Sequence, residues 1–350
     1  MQKNDSLKFT KGVFAVKKLC VLLLTLLLAV AVFAACNQDG SPVDTDSTDE
    51  VTTTPDTAGV TTPKPVETEP ETTEPETPRC THVAGDWIVD VPAKIGAEGS
   101  QHKECRRCGE LLETSTLAAL VPSEGLHFTS NDDGTCYVSG MGTCTDTDLV
   151  IPLASPNGDS VTGVGGWAFR GCDTLTSVAI SDSVTSIGDS AFYGCSSLAS
   201  IVIPDSVTSI GNSMFANCTS LTRVTIGNNV TKIGGSTFSY CDSLVNVTIG
   251  SGVTMIDRGA FSCCSSLTGI VIPDNVTSIG EAVFMGCGGL TSVTVGNGVT
   301  SIGESAFSFC HSLTDVYYTG NEGEWKRISI KADNADLTDA TIHYNYVPQE

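Results

Sequence analysis

Four cysteine and histidine side chains in one short stretch are the residues best suited to bind a metal. Cys80 and His82 lie in the run Cys-Thr-His, and Cys105 and Cys108 lie in the run Cys-Arg-Arg-Cys-Gly. Two thiolates at the second spacing converge on one tetrahedral zinc ion, although the Cys-x-His spacing is tighter than usual. The spacing is compatible with three alternatives: a structural zinc site, a disulfide, or free thiols. A closed four-ligand zinc site would leave no position for catalysis.

No pattern of catalytic residues accompanies this cluster. None of the five histidines lies in a motif that places it beside a nucleophile, and the chain lacks HExxH, GxSxG and a phosphate-binding glycine loop. Asp205 and Asp274 fall in the turns of the repeats, where aspartate is a common turn residue and needs no catalytic role. The sequence therefore predicts that the protein is not an enzyme and has no cofactor beyond a possible structural zinc.

The charge balance excludes one class of partner. The chain has 40 acidic and 18 basic residues in 350, for a net charge of −22. Nucleic-acid binding needs clustered Lys and Arg, and so acidic a chain has no such surface. We therefore expect no nucleic-acid partner.

The first 36 residues predict export. Several lysines precede an uncharged run of 17 residues, Leu19 to Ala35, which is slightly short for a membrane-spanning helix. The run Phe33-Ala34-Ala35-Cys36 resembles a bacterial lipobox, in which the cysteine is lipidated. We expect a lipoprotein signal peptide over residues 1–36, a lipid anchor on Cys36 as the only membrane contact, and an extracellular, cell-surface location. An ordinary secreted protein and an uncleaved anchor are the alternatives.

A linker and a small module follow the signal peptide. Residues 37–79 are rich in Thr, Pro and Glu with almost nothing apolar, which predicts a disordered tether. Fully extended, 43 residues would span about 130 Å. Residues 80–120 hold the Cys/His cluster and resemble small modules that precede repeat domains in surface proteins of anaerobic Firmicutes. In those modules a further cysteine falls where this chain has Ile95.

The rest of the chain repeats every 23 residues. The pattern Phe-x-x-Cys occurs seven times at this spacing, with its cysteines at 172, 195, 218, 241, 264, 287 and 310. A period of this length is typical of a solenoid, in which each repeat is one turn and packs on its neighbours. We expect one short strand per turn and a short helical or 3₁₀ piece that carries Phe and Cys inward. The cysteine column should be buried and reduced, while Cys263 should face outward.

The combination Leu-x-x-Val-x-Ile, Ser-Ile-Gly and Ala-Phe-x-x-Cys resembles the BspA-like, or Treponema-type, leucine-rich repeats. The resemblance covers about Val161 to Tyr318. It implies a β-rich, right-handed solenoid with a parallel strand in each turn, and a role in adhesion or partner recognition. We expect an N-terminal cap over residues 121–160 with a hairpin at Asp133-Gly134, repeats over 161–316, and a C-terminal cap over 317–350 in which Trp325 covers the core.

The outward strand positions predict the binding face. This face is small and mostly neutral, without a charge stripe or a Tyr/Trp/Arg cluster, so it suits broad and weak contact. We expect a protein or glycoprotein partner on host or neighbouring cells; a passive envelope-spacing protein is the alternative. The candidate contact residues are Arg223, Asn246, Thr248, Thr294, Asp315 and Tyr317.

Overall fold

The computed structural model describes residues 82–91 and 93–348. The chain divides into two units. The small unit contains the described residues up to Asp90 and the segment Ser100–Ser115. The large unit contains Val91–Gly99 and the residues from Thr116 onward. The predictions for Cys36, for the linker over 37–79 and for Cys80 lie outside the described residues. Within the described ranges, no helix is both long enough and apolar enough to cross a membrane.

The small unit is built on a three-stranded sheet. Its strands follow one another in space as in sequence, β1 (Ala84–Val91), β2 (Gly99–Cys105) and β3 (Leu111–Leu117). Only Gly99 and Cys105 are buried in these three strands. The sheet therefore has almost no apolar core of its own.

The large unit is a β-solenoid of about nine turns with a 23-residue period, as the sequence predicts. One row of strands runs along the stack: β6 (Asp148–Val150), β8 (Ser177–Ala179), β10 (Ser200–Ile203), β12 (Arg223–Ile226), β14 (Asn246–Thr248), β16 (Gly269–Ile272), β18 (Ser292–Val295), β20 (Asp315–Tyr318) and β22 (Thr341–His343). From β8 to β14 and from β16 to β20 the strands pair in parallel with an offset of one repeat, so that Ile201 lies beside Val224. We call the outward side of this row the strand face.

A second row of shorter strands completes each turn, where the sequence predicts one strand. It begins with β4 (His127–Ser130), β5 (Thr135–Gly140) and β7 (Ser160–Val164), and continues with two-residue strands. These are β9 (Ser186–Ile187), β11 (Ser209–Ile210), β13 (Lys232–Ile233), β15 (Met255–Ile256), β17 (Ser278–Ile279), β19 (Ser301–Ile302) and β21 (Ser329–Ile330). The extra strand arises because the isoleucine at this position and the residue before it pair with the equivalent two residues of the neighbouring turn, as Ser209 and Ile210 pair with Ser186 and Ile187.

The Phe-x-x-Cys segment is a series of turns and not the expected helical piece. Ser190 has a φ of 54°, in the left-handed region that interrupts a right-handed helix. Its N–H donates to the carbonyl of Asn212 at 2.8 Å, and the N–H of Phe192 donates to Met214 at 2.9 Å. Every second backbone N–H of this segment thus donates to a carbonyl of the next turn of the solenoid, as in a strand. These N–H groups are not available for the continuous hydrogen bonds of a helix.

The core is made of residues stacked one repeat apart. The inward phenylalanines from Phe169 to Phe284 form a column with ring centroids 5.1–5.7 Å apart. Beside it, the cysteines from Cys195 to Cys310 are buried thiols, as predicted, and Cys172 is half-buried. The prediction for Cys263 is wrong. Its side chain is buried because Gly286, which takes the same position one turn later, leaves room for the sulfur.

Both ends of the solenoid have the predicted cap elements. β4 and β5 form an antiparallel hairpin around Gly134, and β5 then pairs in parallel with β7. At the other end, Trp325 packs on the core, with its ring centroid 5.2 Å from that of Tyr318. Two short helices, α1 (Glu322–Trp325) and α2 (Ala335–Thr338), lie in this cap.

Candidate functional site

Three of the four predicted metal ligands come together in the small unit. The ligand atoms of His82, Cys105 and Cys108 all lie within 4.8 Å of one another. Cys108 Sγ lies 3.6 Å from His82 Nδ1. Cys105 ends β2, and the turn after it brings Cys108 back to the same side. The fourth predicted ligand, Cys80, lies outside the described residues.

The surroundings of Cys105 favour a thiolate. The pKa of this thiol falls from 9.0 to about 5, chiefly because the backbone N–H groups of Arg107 and Val83 donate to the sulfur and secondarily because of His82. The Arg107 nitrogen lies 3.4 Å from Sγ. On the other side of the cluster, His82 Nε2 lies 3.4 Å from Glu110 Oε2. The cluster is therefore suited to a cation.

The strand face carries most of the predicted contact residues. Arg223 and Asn246 are exposed and lie side by side on β12 and β14, and Thr248 is exposed on the same strand as Asn246. The prediction that Thr294 is a contact residue is wrong, because only 8% of its surface is exposed. It is buried because it lies between two larger residues at the same strand position, Val271 and Tyr317.

Asp315 and Tyr317 belong to an aromatic cluster at the C-terminal end of the strand face. The ring of Tyr317 stacks on His343 at 4.7 Å and lies 4.7 Å from Tyr346. His343 Nε2 lies 2.7 Å from Asp315 Oδ1, and hydrogen bonds from His343 and then Thr314 lower the pKa of the Asp315 carboxyl. We call Tyr317, His343 and Tyr346 the terminal aromatic stack.

His343 and Tyr346 are not among the contact residues predicted from the sequence. Their strand, β22, follows β20 with an offset of 26 residues, since Tyr317 pairs with His343. The 23-residue period therefore does not align them with the strand face.

A second cluster lies in the turns that carry the first two phenylalanines of the column. The guanidinium of Arg170 lies 4.5 Å from the Trp167 ring centroid and 5.2 Å from that of Tyr193. The amide of Asn217 donates to the Tyr193 hydroxyl at 2.7 Å, which holds that ring. Trp167 is 55% exposed, and Arg170 is exposed. We call Trp167, Arg170 and Tyr193 the arginine–aromatic patch.

This patch lies outside the strand positions from which the binding face is predicted. The signal was nevertheless present, since Arg170 and Tyr193 each follow a core phenylalanine by one residue. Equivalent positions of a solenoid stack on each other, so a cation and an aromatic ring one period apart must meet.

Many other polar side chains at the surface are used within the stack. Asp205 Oδ1 accepts from the backbone N–H of Asn228 at 2.6 Å, and Asp274 Oδ1 accepts from Asn297 at 3.0 Å. Both aspartates therefore have a structural role in the turns, as the sequence predicts. Threonine hydroxyls behave similarly, as Thr222 does in donating to the Ala199 carbonyl at 3.0 Å. Such groups stabilise the solenoid and are less available to a partner.

Comparison with known proteins adds the family context of this architecture. The pattern described as the BspA type leucine-rich repeat region matches in six copies, over residues 154–268 and 254–329. A leucine-rich repeat protein of T. pallidum is 27% identical, with a TM-score of 0.52 over 61% of this chain and 98% of that one.

Two further solved structures are more distant. A leucine-rich cell surface protein of Faecalibacterium prausnitzii is 22% identical, with a TM-score of 0.33 over 60% of this chain and 97% of that one. A leucine-rich repeat protein of Bacteroides ovatus is also 22% identical, with a TM-score of 0.31 over 64% and 78%. No curated protein matches the sequence significantly.

Proposed function

Because the chain belongs to the BspA-type leucine-rich repeat family, we propose that it is a cell-surface protein that binds a protein or glycoprotein on host or neighbouring cells. The family is typically non-catalytic, so the proposal assigns the chain a binding role and no reaction. Leucine-rich repeats suggest protein binding in general, and the proposal adds the class of partner.

The arginine–aromatic patch is the observation that carries the proposal. Trp, Tyr and Arg are the residue types that dominate the binding energy of protein interfaces. Here the Arg170 guanidinium lies over two rings, and Asn217 fixes one of them through a hydrogen bond. Little side-chain entropy is then left to lose when a partner covers the patch. The Arg170 guanidinium can pair with an acidic group on a partner.

The terminal aromatic stack is a second candidate contact, on the strand face. Tyr317 and Tyr346 offer ring surface, while the bond between His343 and Asp315 fixes the stack. The exposed Arg223, Asn246 and Thr248 add small polar groups on the same row of strands. We expect these three to contribute weakly, since isolated polar side chains on an open surface seldom dominate binding.

Display on the cell depends on the N-terminal segment. We propose that Cys36 carries a lipid and that residues 37–79 hold the repeats away from the membrane. Growth of the source bacterium with a labelled fatty acid should label the wild-type chain and leave Cys36→Ala unlabelled. An unlabelled wild type, or label that survives the substitution, would contradict the anchor.

A passive envelope-spacing protein is the competing function. The two are separated by incubating the purified chain with immobilised matrix proteins, mucins and whole bacteria. Saturable retention on one of these supports the binding role. Failure against the whole panel, together with normal display on the cell, supports the spacer.

A further inference from the structure

The small unit contains a set of donors whose geometry fits a metal ion. We propose that His82 Nδ1 and the sulfur atoms of Cys105 and Cys108 bind one structural zinc ion. The three donors lie within 4.8 Å of one another, on two segments separated by more than twenty residues. The inference is independent of the binding role of the repeats, because none of these residues belongs to either surface cluster.

The resolved distance agrees with a shared tetrahedral ion. Zinc binds sulfur at about 2.3 Å and histidine nitrogen at about 2.0–2.1 Å, so two such ligands on one tetrahedral ion lie about 3.6 Å apart. Cys108 Sγ and His82 Nδ1 lie 3.6 Å apart. A thiol and an imidazole can also share a hydrogen bond at this distance, and metal analysis separates that pair from a zinc site.

The backbone around the cysteines has the form that a pair of thiolate ligands requires. Gly109 has a φ of +73°, and its N–H donates to the Cys105 carbonyl at 2.9 Å, which closes the turn. The N–H of Arg107 points at Cys105 Sγ. A sulfur that accepts N–H bonds and binds a cation keeps its negative charge compensated on both sides. The left-handed position is one that glycine adopts without strain.

The histidine is oriented by a neighbouring carboxylate. Glu110 Oε2 lies 3.4 Å from His82 Nε2, so the second ring nitrogen has a partner and Nδ1 is left for the metal. Histidines that bind zinc commonly donate their other N–H to a carboxylate or carbonyl, which fixes the tautomer and the ring orientation. Glu110 is therefore a positioning residue in this proposal.

The small unit also needs a cross-link. Trp87, Ile88 and Val89 of β1 are at least 36% exposed, and Cys105 is the only buried side chain larger than hydrogen in the three strands. Folded units without an apolar core are usually held by disulfides or metals. A disulfide between Cys105 and Cys108 would close a loop of about four residues, too local to hold the His82 segment to the turn. A zinc ion ties both segments together.

The fourth ligand that the sequence predicts, Cys80, lies outside the described residues, so the three donors that the structure brings together carry the proposal. The ion would stabilise the unit by holding the His82 segment to the turn of Cys105 and Cys108. Its replacement by Co²⁺ would give the visible absorption of a tetrahedral thiolate complex.

Metal analysis of the full chain, purified without chelator, tests the proposal. We expect about one equivalent of zinc in the wild type and its loss in His82→Ala and in the double variant Cys105→Ser/Cys108→Ser. His311→Ala and Cys172→Ser, which change the same residue types in the repeats, should keep the metal. The far-ultraviolet dichroism of the repeats reports whether each variant is folded.

Glu110→Gln keeps the ligands and tests the geometry. It should weaken zinc binding by about 10–100-fold in a competition with a chromophoric chelator, because the histidine loses its orienting partner. Glu113→Gln, which changes a nearby acid paired with Lys103, should leave the affinity unchanged. A wild type without zinc, zinc retained by the double cysteine variant, equal affinities of the two glutamate variants, or a Cys105–Cys108 disulfide in the purified chain would each overturn the proposal.

Discussion

The thiol of Cys218 donates a hydrogen bond to the carbonyl oxygen of Phe192, one turn earlier in the stack, at 3.3 Å. The same bond recurs at five other cysteines of the column, with distances of 3.1–3.3 Å: Cys195, Cys241, Cys264, Cys287 and Cys310. From Cys195 onward the cysteine of each repeat thus fills the core and donates to a buried carbonyl, and the Phe192 carbonyl accepts a further bond from the Cys195 N–H at 3.2 Å. This pairing gives a structural reason for cysteine at the position.

Removal of one such thiol should destabilise the solenoid. Cys218→Ala leaves a cavity and removes one of the two hydrogen bonds that the Phe192 carbonyl accepts, and we expect the free energy of unfolding to fall by about 1–3 kcal/mol. Urea unfolding monitored by dichroism measures the change. Cys172→Ala is the matched control, since Cys172 is half-buried at the start of the column. A loss at Cys172 as large as that at Cys218 would contradict this role.

Alkaline pH should destabilise the repeats through the same thiols. Burial raises the pKa of the Cys241 thiol from 9.0 to about 12, and it also raises the pKa of Cys195, Cys218, Cys264 and Cys310. Between about pH 9 and pH 12 the unfolded chain releases protons that the folded chain keeps. The free energy of unfolding therefore decreases with pH in this window and is insensitive to these thiols below it.

Urea midpoints measured across this window check the direction of the change. Cys241→Ala removes one of the thiols whose pKa is raised by burial. The free energy of unfolding of this variant should therefore fall less steeply with pH than that of the wild type. Parallel pH profiles for the two proteins would show that the thiols do not cause the alkaline loss.

Close approach of successive turns explains a recurrent glycine. A Cβ atom at Gly211 would lie 2.4 Å from the Asp189 nitrogen and 2.5 Å from the Gly188 carbonyl carbon. Gly211→Ala must shift this backbone and should lower the free energy of unfolding by about 1–3 kcal/mol. Gly288→Ala is the control, because a Cβ there meets nothing within 4 Å. Urea midpoints that fall equally in the two variants would refute the explanation.

The sequence predicts the solenoid well because its inward residues repeat. Phe192 and Phe215 occupy the same position in successive turns, and their rings stack at 5.2 Å as the period requires. The hairpin around Gly134 and the packing of Trp325 follow from turn chemistry and from the need to cover the last turn. These features depend on local pattern and on the stacking of equivalent positions.

The surface clusters depend on information that a search of strand positions does not contain. Arg170 meets Trp167 through a turn in which Trp167 has a φ of 65°, and a short sequence run does not reveal this conformation. Tyr317 meets His343 across an offset of 26 residues, outside the repeat. Burial of Cys263 depends on the missing side chain of Gly286 one turn away. Each case requires the geometry of neighbouring turns.

The binding of variants of the arginine–aromatic patch tests the proposed function most directly. The full chain is titrated over the immobilised matrix protein, mucin or cell surface that retains the wild type. We expect Trp167→Ala and Arg170→Ala each to weaken binding by about 30-fold, as for a residue contributing about 2 kcal/mol. Arg223→Ala, which removes an exposed arginine from the strand face, should change the affinity by less than about threefold. Wild-type affinity in both patch variants, or an equal loss in Arg223→Ala, would contradict the account.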